Sequence, residues 1–207
     1  MCRCYNWSMP KIVDHEQQKI KVAEAAWRVI RRAGIENASV RNVAQEAGIS
    51  PGSMRHYFST QAELFSFSMS LVSERVVARV SSLSFDRPIP EVAKDVLREL
   101  VPLNEESRPE MEVWLAFVSK SLSEPSLRDH ADRVYEELRN TMFFIVRGLV
   151  QYGFAPKNLN IEEETERMQV FVDGVALHGV TYPDRMTPAR MEKLLDEYID
   201  SLCTKKS

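Results

Sequence analysis

Cysteine is scarce here and badly placed for a covalent framework. Cys2, Cys4 and Cys203 all sit near the ends of a 207-residue chain. An odd count without Cys-x2-Cys spacing supports neither a disulfide scaffold nor a redox pair. Cys2-Arg3-Cys4 lacks the second pair that a tetrahedral metal site needs, so no metal and no cofactor are expected. Long apolar runs are missing too, since none approaches the ~20 residues that cross a bilayer. The opening MCRCYNWSMPK has no apolar core or small-residue cleavage site of a secretory signal. The expected location is cytoplasmic, with no membrane partner. A P-loop, H-E-x-x-H and the dinucleotide fingerprint are all absent. No catalytic residue is expected, and the chain does not read as an enzyme. Asp129-His130 with Asp132 reads as solvated surface rather than a metal site. No segment alternates between hairpin turns, and there is no solenoid-period repeat or low-complexity tract.

What is present is helix. Hydrophobic residues make up 44% and charged residues 28%, the balance of a folded, soluble chain. From 14 to 33, Ile20, Ala23, Trp27 and Ile30 recur at helical spacing until Gly34. Ser39 caps a second helix over 40–47, which Gly48 closes with a positive φ. Ser50 caps a third over 51–58, with Pro51 at its first position, where the missing N–H costs nothing. Ser59-Thr60 caps a fourth over 61–81. Asp86-Arg87-Pro88-Ile89-Pro90 breaks the chain. Further helices follow at 91–101, 107–123, 126–152, 161–180 and 188–203. The expected class is all-α, with about nine helices.

The stretch VRNVAQEAGISPGSMRHYF joins the second and third helices as a helix-turn-helix. Ala44 is small enough for close helix approach, Gly48 turns the corner, and Met54 reaches back to the second helix. Met54 and Phe58, an i, i+4 pair, point inward, which turns Gly52, Ser53, Arg55 and His56 outward. Such a face suits a major groove: Gly52 and Ser53 admit the backbone closely, and Arg55 can donate twice to guanine. Ser50 and the helix N-terminus can hold phosphate. The charge follows the same division. Residues 1–60 carry nine Lys/Arg and five Asp/Glu, net +4, and the remainder eighteen and twenty-five, net −7. A basic end on an acidic body fits a polyanion met by the first sixty residues alone.

With Val43-Ala44, Ala47-Gly48-Ile49-Ser50, Gly52, Phe58 and Leu64 in place, the chain resembles the N-terminal domain of the TetR family of transcriptional regulators. Arg55 stands where that family often has tyrosine, Tyr57 where it often has histidine, and Gln61 where it often has lysine. Arg-His-Tyr-Phe followed by Gln61 resembles the branch of BetI-like repressors. The resemblance implies DNA contacts at Arg41, Ser53, Arg55, His56 and Tyr57; with Ser39, Ser50, Pro51, Gly52 and Gln61 they make up the expected DNA-binding set, on double-stranded, near-palindromic DNA. It implies a DNA-binding domain over 9–60 and a helical effector-binding and dimerisation domain over 61–207. Residues 1–8 read as an extension ahead of a start at Met9.

The larger half is more than DNA binding requires. A TetR-like bundle encloses a small-molecule effector, and Trp114, Phe117, Phe143 and Phe144 are the aromatic candidates for its pocket, although such stripes also build ordinary cores. The resemblance further implies a homodimer through the last two helices, at Met168, Val172, Val175, Gly179, Leu194, Leu195 and Tyr198. The same stripes would equally complete the core of one chain. The expected function is a DNA-binding regulator, a repressor released by its effector. The alternative is a helical small-molecule-binding protein or enzyme whose N-terminal domain serves protein contacts only.

Overall fold

The computed structural model describes residues 15–204. The expectations for Cys2, Cys4 and an extension over 1–8 lie outside that span. Nine α-helices are described: α1 His15–Ala33, α2 Val40–Glu46, α3 Pro51–Met54, α4 Gln61–Ser81, α5 Ile89–Arg98, α6 Ser107–Ser121, α7 Arg128–Gln151, α8 Ile161–Thr181 and α9 Pro188–Leu202. Single 3-10 turns at Ile35–Asn37 and Pro125–Leu127 join them, and no strand occurs among the described residues. None of these helices is long and apolar enough to cross a membrane.

Caps set most of the boundaries. Ser39, Ser50, Thr60, Asn160 and Thr187 each accept a hydrogen bond from a backbone N–H in the first turn of the helix that follows. Pro90 lies inside the first turn of α5, which therefore begins at Ile89 instead of 91. The third helix is shorter than the expected 51–58. After Met54 the chain tightens into i→i−3 bonds, His56 N to Ser53 O at 3.1 Å and Tyr57 N to Met54 O at 3.0 Å. Over a single turn the two geometries place side chains alike, so apolar spacing does not tell them apart.

Two apolar clusters organise the packing. The first gathers α1, α2, α3 and the start of α4 around Trp27, Val43, Met54, Phe58 and Leu64, and continues onto Val113 and Phe117 of α6. The second joins α5, α7, α8 and α9 around Leu97, Met142, Leu149, Met168 and Leu195. α4 belongs to both, through Phe65 and Val72 at one end and Val76 and Val80 at the other. Polar contacts brace it along its length. Trp27 Nε1 donates to Ser68 O at 3.3 Å, and Arg75 pairs with Glu24 while lying 4.8 Å from the Trp27 ring centre. Arg79 bridges Glu99 at 2.7 Å and the buried Glu110 at 2.9 Å.

Candidate nucleic-acid interface and effector cavity

The corner between α2 and α3 is built by one glycine. Gly48 has φ 69°; its N–H reaches Gln45 O at 3.2 Å, and Ile49 N reaches Ala44 O at 3.0 Å. Those two bonds are the Schellman closure of α2. A Cβ at Gly48 would meet nothing within 4 Å, so the demand for glycine is purely conformational. Gly48→Ala is expected to cost ~1–2 kcal/mol in denaturant melts, through backbone strain alone. An unchanged midpoint would mean that the corner relaxes freely.

Beyond the corner, Met54 and Phe58 are buried at 0% and 1% exposure. Pro51, Gly52, Ser53, Arg55 and His56 are exposed. Tyr57 is half-buried, its ring 5.0 Å from that of His15. Ser50 Oγ accepts from Ser53 N at 3.0 Å and lies 3.0 Å from Ser53 Oγ. One hydroxyl–hydroxyl bond uses one proton, so the other stays free to point outward. Ser39 Oγ is committed to Asn42 N at 3.2 Å. Gln61 Nε2 donates to Ala38 O at 2.9 Å, tying α4 to the start of α2 and leaving one amide proton for any outside partner.

Charge pairing selects the free cations. Arg28 and Arg32 are held by Glu46 at 2.8 and 3.0 Å, and Arg31 by Glu112 at 2.6 Å. Hydrogen bonds from Arg28, then Arg32, hold the Glu46 carboxyl below its usual range. Arg41 and Arg55 are exposed, and neither has an ion pair or hydrogen bond among the described residues. Lys21 of α1 is likewise exposed and unpaired among the described residues, so the free positive charge of this end lies at the corner and on α1.

The body holds a cavity of about 180 Å³ between α4, α6, α7 and α8, walled mainly by Val72, Val76, Trp114, Leu138, Met142 and Val172. A cleft of about 290 Å³ lies beside it and shares Trp114, Val134, Leu138 and Asp173. Of the four expected aromatics, Trp114 lines both spaces and Phe117 only the cleft, where it is buried against the His130 ring at 5.4 Å. Phe143 and Phe144 do not line the cavity. α7 turns Met142, Ile145, Val146 and Leu149 inward, so its helical rotation carries Phe144 to the outside at 66% exposure.

Asp173 was not among the expected site residues, although it interrupts the apolar run of α8. Burial pushes its carboxyl up to about 6. Because the folded-state value is raised, folding is unaffected below about pH 4 and increasingly opposed as pH climbs through 6. The melting-temperature advantage of Asp173→Asn over the parent is expected to widen between about pH 4 and about pH 8. A gap that does not change with pH would mean a solvated carboxylate.

The residues expected at a dimer interface differ in their surroundings. Met168, Val172, Val175, Gly179 and Leu195 are buried within the single chain. A Cβ on Gly179 would lie 2.5 Å from Met191 Sδ and 2.8 Å from Pro102 Cγ, so the close helix approach there is internal. Leu194 and Tyr198 are half-buried. Tyr198 stacks on Phe171 at 4.5 Å and donates to Glu164 Oε1 at 2.6 Å. The outward apolar strip of α8 is instead Val170, at 73% exposure, with Gly174 and Leu177.

Sequence profiles of known families match both ends of the chain. Residues 22–66 match the tetR family of bacterial regulatory proteins, and residues 90–204 match the C-terminal region of BetI-type transcriptional repressors. The HTH-type transcriptional regulator PksA of Bacillus subtilis (strain 168) is 39% identical over 197 residues, 94% of each protein. A crystal structure of a transcriptional regulator from Rhodococcus sp. Rha1 superposes with TM-score 0.78 at 28% identity, over 89% of this chain and 95% of that one. A regulator from Saccharomonospora viridis, solved in complex with choline, shares the fold at TM-score 0.79 and 20% identity, over 92% of this chain and all of that one.

Proposed function

The chain belongs to the TetR family of transcriptional regulators, in its BetI-type branch, and is a DNA-binding regulator; we propose that it is a repressor released from its operator by a small molecule. The observation that carries the DNA-reading assignment is the exposed row Gly52, Ser53, Arg55 and His56 on the α3 corner. Nothing inside the chain requires glycine at 52, since an added Cβ would meet only Ser50 Oγ, at an ordinary 3.7 Å. A duplex pressed against that backbone supplies the reason. Arg55 and His56 read base edges, while Arg41, Ser39, Ser50 and the remaining Gln61 proton position phosphates, with Pro51 and Tyr57 flanking.

One such corner reads only a few base pairs. Two copies related by a two-fold axis read a near-palindrome and multiply the discrimination. The dimer seam is assigned to the outward strip of α8, Val170, Gly174 and Leu177, with Leu194 and Tyr198 of α9 at its edge. An effector in the body cavity touches Val72 and Val76 of α4, and α4 anchors the corner through Gln61. A ligand that prefers a displaced α4 therefore shifts the population towards heads that no longer fit successive grooves. That a protein of this fold was solved with choline supports a small-molecule occupant. No catalytic step is assigned.

Anisotropy titration against the DNA upstream of its own gene tests this reading. Tight binding that falls steeply with salt is expected. Absence of binding at low salt would leave the rival reading, a helical binding protein with an N-terminal protein-contact domain.

A further inference from the structure

The two spaces in the body have a one-sided electrostatic character. Every charged side chain that lines them is acidic: Glu137 and Asp173 in the cavity, Asp132 and Asp173 in the cleft. Among the described residues, no Lys, Arg or His lines either space. Carboxylate, phosphate and sulfate ligands are disfavoured there, because like charges repel. Asp173 is partly buried at the wall that both spaces share and has no hydrogen bond or ion pair among the described residues. Four residues earlier on α8, and so on the same face, Gln169 is 3% exposed. Its Nε2 donates to Tyr135 O at 3.3 Å, while its Oε1 has no partner.

A partly buried carboxylate without a cation and a buried carbonyl without a donor are both costly. Ammonium N–H groups beside them satisfy both. The rest of the cavity wall is mostly Val, Leu and Met, with Trp114 its one aromatic, so the body of the ligand is apolar. At about 180 Å³ the space is smaller than the roughly 300–1,000 Å³ that drug-sized molecules occupy.

We infer that the effector is a compact hydrophobic amine, protonated and bearing N–H donors, held by the Asp173 carboxylate and Gln169 Oε1 with its apolar chain along α4. This rests on the effector reading above and narrows it to one ligand class. It differs from a quaternary ammonium, which carries the charge but donates no hydrogen bond.

Calorimetric titration of the full-length protein with octylamine, octanol and octyltrimethylammonium tests it. Octylamine is expected to bind about ten- to a hundredfold more tightly than either of the others, the range of a charged hydrogen bond. Asp173→Asn is expected to remove that preference while leaving octanol affinity within about twofold. Equal affinities of the three probes for the parent protein overturn the inference, and this comparison does not depend on any variant folding. Retention of the amine preference in Asp173→Asn overturns it as well. The DNA anisotropy assay, run with octylamine present, separates the two claims. An amine bound through Asp173 that leaves operator affinity unchanged supports the site and sinks the effector reading. Absence of the amine preference in the parent protein sinks the site alone.

Discussion

Arg55→Ala is expected to weaken operator binding by about thirtyfold to twenty-thousandfold. A bidentate arginine–guanine contact contributes about 1–3 kcal/mol of discrimination, and a two-fold assembly loses it twice. At 1.4 kcal/mol per factor of ten, two losses give that range. The fold should not notice the change, because Arg55 is exposed and makes no ion pair or hydrogen bond among the described residues. The comparison that isolates base reading is Arg41→Ala. Losing a phosphate contact weakens all sequences alike and lowers the salt dependence by about one counterion per protomer. Binding curves for the operator and for scrambled DNA, each at several salt concentrations, check both variants. If Arg55→Ala weakened the two DNAs equally, Arg55 would be a phosphate contact and the reading residue would lie elsewhere on the corner.

Phe58→Ala is expected to cost about 3–5 kcal/mol, the range for emptying an aromatic site in a core. Phe58 is 1% exposed, its ring 5.3 Å from that of Phe67, and its N–H closes the turn after α3 onto Met54 O at 3.0 Å. It joins the reading corner to α4. The loss is a large share of the roughly 5–15 kcal/mol that holds a typical domain together. Urea melts followed by circular dichroism should show a first transition at much lower denaturant, with operator binding lost in parallel. The second cluster, around Met142, Met168 and Leu195, should unfold near its parental midpoint. A cost below about 1 kcal/mol would mean that the corner stands without this ring.

The α2–α3 corner was legible in the sequence because its determinants are local. Ser39, Gly48, Ser50 and Pro51 act within a few residues of themselves, through caps, a positive φ and a missing donor. The inward pair Met54 and Phe58 follows from helical spacing alone. The body was less legible. α8 is apolar around more than one face, so its 3.6-residue period leaves open which face the chain buries and which it presents. Met168, Val172 and Val175 went inward, and the outward strip fell to Val170 and Leu177. Adjacent aromatics on α7 carried the same ambiguity, and Phe144 fell on the outside. For Gln61 the sequence suggests a phosphate contact, yet one of its two amide protons goes to Ala38 O. That partner lies 23 positions away, and no local pattern announces it.

The order of side chains along the chain determined which segments are helices, where each is capped, and which few residues stand exposed on the α3 corner, because caps, turns and amphipathic spacing act over one or two turns. Only the packing of α4, α6, α7 and α8 against one another decided that a cavity exists, that its charged walls are all acidic, and that Asp173 stands there without a partner. Those properties depend on side chains from four helices meeting at one place, and burial and electrostatic fields are set by what surrounds a group in space rather than by its neighbours in the chain.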